Sequence, residues 1–351
     1  MYPVLIGEGI WALPSYFTMV TLGFIVCCWL FHREAGRLGW NQVKIVDLCF
    51  VMVIASIIGA RIAHVLFDGY LMDYVYLCID PHHLSQPLPS GDACTDSSEC
   101  LAAQNQGYDI GAQCIDGGCE PERSCLRPLM FWAGGLTYYG GFILAILSAL
   151  YLSRRWHWSF IKLTDMAAPM IALGLAFGRL GCFLAGCCFG KVSDVPWAIR
   201  FPKYSDAWRH HRELFPDELA RQTQALNESL SLPVHPTQLY ELFGALAIFA
   251  FLWIFRKHTK YAGQSLAYLL ILYGILRFAI EFFRDDARGG IWLSTSQWIS
   301  LPLIVLGIVL ISRGKRASNP ATEPVSTDDK KVDDTSRRVI YNEYPPAVVS
   351  H

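Results

Sequence analysis

The sequence predicts an all-α polytopic membrane protein of about seven transmembrane helices. Its N-terminus is expected outside, its C-terminus inside, and a small cysteine-rich insertion lies on the extracytoplasmic side. Three observations carry this expectation. The 351 residues are 53% hydrophobic and only 17% charged, outside the ordinary soluble range. Seven apolar runs are long enough, or nearly so, to span a bilayer. Short basic loops alternate with other connections between those runs.

The runs fall at 13–31, 45–67, 129–152, 163–185, 239–255, 266–283 and 296–311, the last being short. Helices buried in a soluble core are amphipathic, and runs that are apolar on every face, one after another, argue for lipid instead. Arg33, Arg37 and Lys44 follow the first run, and Arg154, Arg155 and Lys162 follow the third. Arg256, Lys257 and Lys260 follow the fifth, and Arg313, Lys315 and Arg316 follow the seventh. These loops read as cytoplasmic. The first fifteen residues have no basic n-region and no evident cleavage site, so no signal peptide is expected.

Four regions follow: a transmembrane part over 1–316, a cysteine-rich insertion at 76–128, an extracytoplasmic cap at 191–235 and a tail at 317–351. The tail is rich in Ser, Thr, Asp and Lys and is expected to be disordered in the cytoplasm. A formal net charge of -1 says little about partners. No basic stripe interleaved with aromatics is present, so no nucleic-acid partner is expected.

The insertion carries Cys78, Cys94, Cys100, Cys114, Cys119 and Cys125 in a Gly/Asp/Ser-rich segment. Such a segment cannot build its own core, and three disulfides of undetermined pairing are the natural reading. Zinc held by Cys114 and Cys119 with His82 and His83 is the alternative. An extracytoplasmic position favours the disulfides. Cys27, Cys28 and Cys49 lie in apolar runs and read as packing residues.

Intramembrane polar residues gather toward the outer ends of the runs. Arg61 and His64 end the second. The third opens through Gly134, Tyr139 and Gly140, and the fourth ends in Arg179, Cys182, Cys187, Cys188 and Gly190. His235 and Glu241 open the fifth, and Arg277, Glu281 and Arg284 close the sixth on one helix face. A lone charge at mid-bilayer costs roughly 2.5–3.5 kcal/mol on insertion scales. Arg61, Arg179, Arg277 and Arg284 outnumber Glu241 and Glu281, and guanidinium forks suit phosphate. A site for the phosphate of an outer-leaflet phospholipid is expected. The plainer reading pairs Arg277 with Glu281 and lets Arg61 snorkel to the interface.

Residues 178–190 resemble the Gly-Arg-x-Gly-Asn-Phe-x-Asn-Gly-x-x-x-Gly signature of the prolipoprotein diacylglyceryl transferase family. The segments around Gly134–Gly141, His235–Glu241 and Arg277–Arg284 are similar to its other motifs, and Tyr16 matches a functional tyrosine. The resemblance implies seven spans in a bacterial inner (plasma) membrane, with an active site facing the outer leaflet and periplasm. It implies transfer of the diacylglyceryl group of phosphatidylglycerol to the thiol of a lipobox cysteine in a prolipoprotein signal peptide, with release of glycerol phosphate. Arg179 would hold the phosphate and Arg277 would assist its departure. Tyr16, Gly134, Gly140 and Gly190 would shape the site, which Arg61, His235, Glu241, Glu281 and Arg284 would line. No cofactor is expected.

The sequence departs from that family at two places. Tyr139 stands where most members carry a histidine, the usual candidate for general base. A tyrosine is a poor base at neutral pH, its unperturbed pKa being about 10. Either nearby arginines activate it, or His64, His235, Glu241 or Glu281 serves, or Tyr139 only positions substrate. Cys182 stands where the signature has asparagine, with Cys187 and Cys188 beside it. A disulfide, a metal site with His235, inert packing and a nucleophile are all open readings. A divergent relative with another acceptor, a catalytically dead lipid-binding relative and a transporter are the alternatives to the transferase.

Overall fold

Apolar residues that must satisfy their own backbone hydrogen bonds in lipid have one local solution, and the chain adopts it throughout. The computed structural model describes residues 4–6, 13–88, 92–105, 111–130, 137–285 and 293–318. Its long helices are α1 (Ser15–Arg37), α2 (Gln42–Phe67), α5 (Tyr138–Arg155), α6 (Phe160–Ala185), α9 (Thr237–Phe255), α10 (Gln264–Ile280) and α11 (Thr295–Ser318). Short helix α3 (Leu71–Ile79) leads into the insertion and α4 (Ser97–Asn105) lies within it, and α7 (Asp206–Leu214) and α8 (Pro216–Leu226) lie in the cap. The expected tail, beyond residue 318, and Gly134 lie outside the described residues.

Six helices are individually long and apolar enough to cross a membrane: Ser15–Arg37, Gln42–Phe67, Phe160–Ala185, Thr237–Phe255, Gln264–Phe283 and Thr295–Lys315. The remaining expected run, 129–152, overlaps α5 (Tyr138–Arg155), which is not among these six. Residues 127–129 form a single 3-10 turn around Pro128, and the helix starts only at Tyr138. Its first turn, Tyr138-Tyr139-Gly140-Gly141, and its Arg154-Arg155 end leave it without an apolar stretch as long as those of the six. Helix α1 also runs past its apolar stretch, so Arg33 and Arg37 sit on its last turns rather than in a loop.

Packing pairs α2 with α5, α1 with α6, α6 with α9 and α10 with α11. Helices α2 and α5 approach closely at Gly59 and Gly140. A Cβ on Gly140 would strike Ala63 and the Gly59 carbonyl, so only glycine permits this spacing. One apolar core joins Phe31, Ala35, Ile45, Leu48, Leu163 and Met166 of α1, α2 and α6. A second joins Ala168, Ala172, Ile248, Leu252 and Leu269 of α6, α9 and α10.

The basic connections collect at one end of the bundle. Trp40 of the α1–α2 turn packs on Trp158 of the α5–α6 turn, with ring centroids 4.8 Å apart. Arg256 at the end of α9 lies 3.2 Å from Glu34 of α1, which also binds Arg37 at 2.5 Å. Asp165 of α6 accepts the backbone N–H groups of Gly263 at 2.6 Å and Leu266 at 2.9 Å, which caps α10. These bonds set the heights of α1, α6, α9 and α10 relative to one another, and hence what meets at their opposite ends.

The insertion is stapled as the cysteine count predicts. The pairs are Cys78–Cys125, Cys94–Cys114 and Cys100–Cys119. They consume the thiols that a zinc site with His82 or His83 would need. Strands β1 (Gln113–Ile115) and β2 (Gly118–Glu120) form a hairpin whose turn, Asp116-Gly117, has positive φ at both residues.

Candidate functional site

The end of the bundle opposite the basic turns carries the buried charge. Arg179 of α6 reaches Glu241 of α9, with Nε 2.7 Å from Oε2. Arg277 of α10 lies 3.4 Å from the other oxygen of Glu241 and 3.0 Å from Glu281 Oε2. It also donates to Ser296 Oγ of α11 at 2.7 Å. Arg284 follows the helix in extended backbone, yet returns to lie 3.9 Å from Glu241 Oε2. Glu241 is 1% exposed and Arg277 8%.

Three guanidiniums therefore face two carboxylates, which leaves one surplus positive charge when all are ionised. Glu241 is the hub, because it alone touches all three arginines. Arg277 is held through both terminal nitrogens. Arg179 is held through Nε only, and its side chain is the most accessible of the three, at 19%. Its remaining donors have no protein acceptor among the described residues, so it is the guanidinium best placed to take an anion.

The loop after α6 builds the rim. Gly186 terminates α6 with φ +78°, donating to the Cys182 carbonyl at 3.0 Å. The first turn of α9 then holds the next two residues. Thr237 Oγ1 donates to the Cys188 carbonyl at 3.0 Å, and Gln238 Nε2 to the Cys187 carbonyl at 2.8 Å. Gly190 donates to the His235 carbonyl at 3.0 Å and bridges to Arg284. A Cβ there would come within 2.5 Å of the Phe283 carbonyl and 2.8 Å of His235 Cβ. Gly190 thus lets three segments of the site meet.

Tyr16 packs over Gly181 and lies within electrostatic reach of Arg179 and of Cys182, Cys187 and Cys188. Those three thiols lie within 4.8 Å of one another and form no disulfide. His235 stands at the rim, with Nδ1 3.2 Å from Tyr240 OH, and Trp197 Nε1 donates to the same hydroxyl at 2.7 Å.

The other expected site residues are placed apart. Arg61 donates to the carbonyls of Pro128 at 2.7 Å and Arg127 at 2.5 Å and stacks on Tyr74, so it anchors the insertion to α2. His64 lies 3.0 Å from Asp68, which also accepts from Thr137. Gly140 serves the α2–α5 contact. Tyr139 is 52% exposed at the start of α5 and packs edge-on against Tyr138. Tyr138, not singled out from the sequence, lies within electrostatic reach of Arg179, as Tyr16 does. Tyr273, one turn before Arg277, was also missed and faces Glu241, Arg179 and Arg277. The signal for Tyr273 was its spacing of four from Arg277.

The cap closes over this end. Phe189, Phe201, Ala207 and Val234 form its core, continued by Trp208, Leu219 and Leu232. His211 of α7 is fully buried, and its Nδ1 accepts the Leu232 N–H at 3.2 Å. Burial, and the neighbouring His210, push its pKa down to about 4. In the insertion, the Glu120 carboxylate, 2.5 Å away, raises that of exposed His82.

Comparison with known proteins bears on the same segments. The sequence profile of the family described as prolipoprotein diacylglyceryl transferase matches residues 3–88 and 121–313. It passes over 89–120, the heart of the stapled insertion, and includes every residue of the arginine cluster. A phosphatidylglycerol--prolipoprotein diacylglyceryl transferase of Burkholderia cenocepacia is 31% identical over 344 residues, 91% of this chain and 97% of that protein. The protein of the same name from Neisseria gonorrhoeae is 32% identical over 319 residues, 88% of this chain and 93% of its own. That from Pseudomonas putida is 30% identical, over 88% of this chain and 92% of its own. With its bundle of membrane-spanning helices and a match that runs nearly end to end, this chain belongs to the prolipoprotein diacylglyceryl transferase family.

Proposed function

We propose that this multi-pass membrane protein transfers the diacylglyceryl group of phosphatidylglycerol to the thiol of a lipobox cysteine in a prolipoprotein. A thioether forms and glycerol phosphate leaves. The observation that carries the proposal is the buried cluster of Arg179, Arg277 and Arg284 around Glu241, with its surplus positive charge and its one accessible guanidinium.

Arg179 receives the phosphodiester. Arg277, rigid between Glu241, Glu281 and Ser296, stabilises the charge that grows on the departing phosphate. Fixed dipoles and charges of this kind act without reorganising during the reaction, which is where their catalytic value lies. Glu241 holds the guanidiniums at the heights the phosphate needs. The basic turns face the cytoplasm, so the cluster, the cap and the insertion face the outer leaflet of a bacterial inner membrane. The lipobox peptide reaches the site beneath the cap at 191–235.

The test incubates the purified protein with labelled phosphatidylglycerol and a lipobox peptide, beside a peptide with serine for cysteine. Thioether-linked label on the cysteine peptide alone is the expected result. Lipid binding with no label on either peptide would overturn the proposal and favour a relative with another acceptor.

A further inference from the structure

We propose that Cys182, Cys187 and Cys188 bind a zinc ion whose fourth position takes the acceptor cysteine as a thiolate. The inference rests on the transferase reading above, and it departs from the expectation that no cofactor is needed.

The geometry is that of three ligands converging on one point. The three Sγ atoms lie within 4.8 Å of one another. Zinc–sulfur bonds of about 2.3 Å in a tetrahedron put sulfurs about 3.8 Å apart, so the thiols close by about 1 Å at most. Cys182 comes from the last turn of α6, and the other two follow its Gly186 cap. Cys188 holds φ +59°, a left-handed conformation that side-chain-bearing residues rarely adopt. Thr237 and Gln238 pin the carbonyls of Cys188 and Cys187, so buried hydrogen bonds maintain that turn.

The count points to three ligands and an open position. The six cysteines of the insertion pair completely, whereas this group has an odd number and cannot. No histidine or carboxylate joins the three among the described residues, and His235 is turned to Tyr240 instead. Four protein ligands mark structural zinc, and three with a vacant fourth mark catalytic zinc.

The chemistry supplies what the site lacks. Thioether formation needs a thiolate, and the histidine usual in the family is Tyr139 here, exposed at the start of α5. A thiol that coordinates zinc is deprotonated outright. In the step, the acceptor thiol gives up its proton on binding. Its sulfur attacks the glyceryl carbon, so a C–S bond forms and the C–O bond to phosphate breaks. The electron pair leaves with glycerol phosphate, which takes up one proton, and nothing is oxidised or reduced. Cys182 follows Arg179 by three residues on α6, so the two share a helix face, which places the metal beside the phosphate-binding guanidinium.

The experiment uses the full chain in detergent, loaded with zinc or with cobalt. One metal per chain is expected, with thiolate-to-cobalt charge-transfer absorption in the unmodified protein. Cys182→Ser, Cys187→Ser and Cys188→Ser should each lower metal affinity at least tenfold, while Cys49→Ser leaves it unchanged. Chelation should abolish transfer and zinc should restore it. Absent metal, or a disulfide between any two of the three in the active protein, overturns the site. Bound metal whose removal leaves transfer unchanged overturns its role in activating the thiol. A metal-loaded protein with the expected spectrum but no transfer overturns the transferase reading alone, so the two failures are distinguishable.

Discussion

Glu241 Oε2 lies 2.7 Å from Arg179 Nε, and through that contact α9 fixes the most accessible guanidinium of the cluster. The same carboxylate is 1% exposed and touches two further arginines. Removing one partner of a buried ionic cluster leaves uncompensated charge, at a cost of about 3–5 kcal/mol. Glu241→Ala should therefore lower the thermal midpoint in detergent by many degrees and abolish transfer. Glu241→Gln keeps the size but not the charge, and should fall between the two in stability with activity still lost. Thermal unfolding of the two variants beside the parent checks the order.

Arg179 differs from Arg277 in having donors to spare. Arg179→Lys keeps a cation near Glu241 but gives up the planar fork that grips a phosphate. Transfer should fall by about 10²–10³-fold, the loss typical of one preorganised donor at developing charge. The thermal midpoint should move little. Arg277→Lys breaks contacts to Glu281 and Ser296 as well, so it should lose both activity and stability. Equal destabilisation by the two lysine variants would sink the distinction.

How far the sequence went is visible in these same residues. Intramembrane charge is expensive, so Arg179, Arg277 and Glu241 announced themselves by position alone. Their convergence followed from outer ends lying on one side, and the pairing of Arg277 with Glu281 followed from a spacing of four. Arg61 met the same criterion and does something else, holding the carbonyls of Arg127 and Pro128. Position along a span reports depth in the bilayer but not the direction around the helix. Tyr273 and Ser296 were missed because a tyrosine or serine in an apolar run is cheap and carries no such signal. The pairing of the insertion's cysteines was illegible for a further reason: six cysteines permit fifteen connectivities.

His211 makes the cap sensitive to acid. Its folded pKa is held down to about 4, against an ordinary value of 6.5. Between those values the unfolded cap binds a proton that the folded cap does not, so stability rises with pH in that window. The contribution is intact above about pH 6.5 and declines as pH falls toward 4, by up to about 1.4 kcal/mol per unit. Limited proteolysis within 191–235 should accelerate on acidification through that range. His211→Asn offers an oxygen to the Leu232 N–H without titrating, and should flatten the profile.

The heart of the stapled insertion, 89–120, lies outside the family's shared sequence, and the insertion is tied to α2 by Arg61. Each of its two inner disulfides closes a loop of about twenty residues, worth roughly 3 kcal/mol in the chain-entropy account. Reduction should unfold this segment, since Cys94, Cys100 and Cys119 make up most of its buried core. The transmembrane cluster depends on none of these bonds. Cys100→Ser should expose the insertion to protease while transfer stays within about twofold of the parent protein. Arg61→Ala should likewise loosen the segment without the hundredfold loss expected of Arg179→Lys. A loss at Arg61 as large as that at Arg179 would return Arg61 to the phosphate site and show that the insertion shapes it.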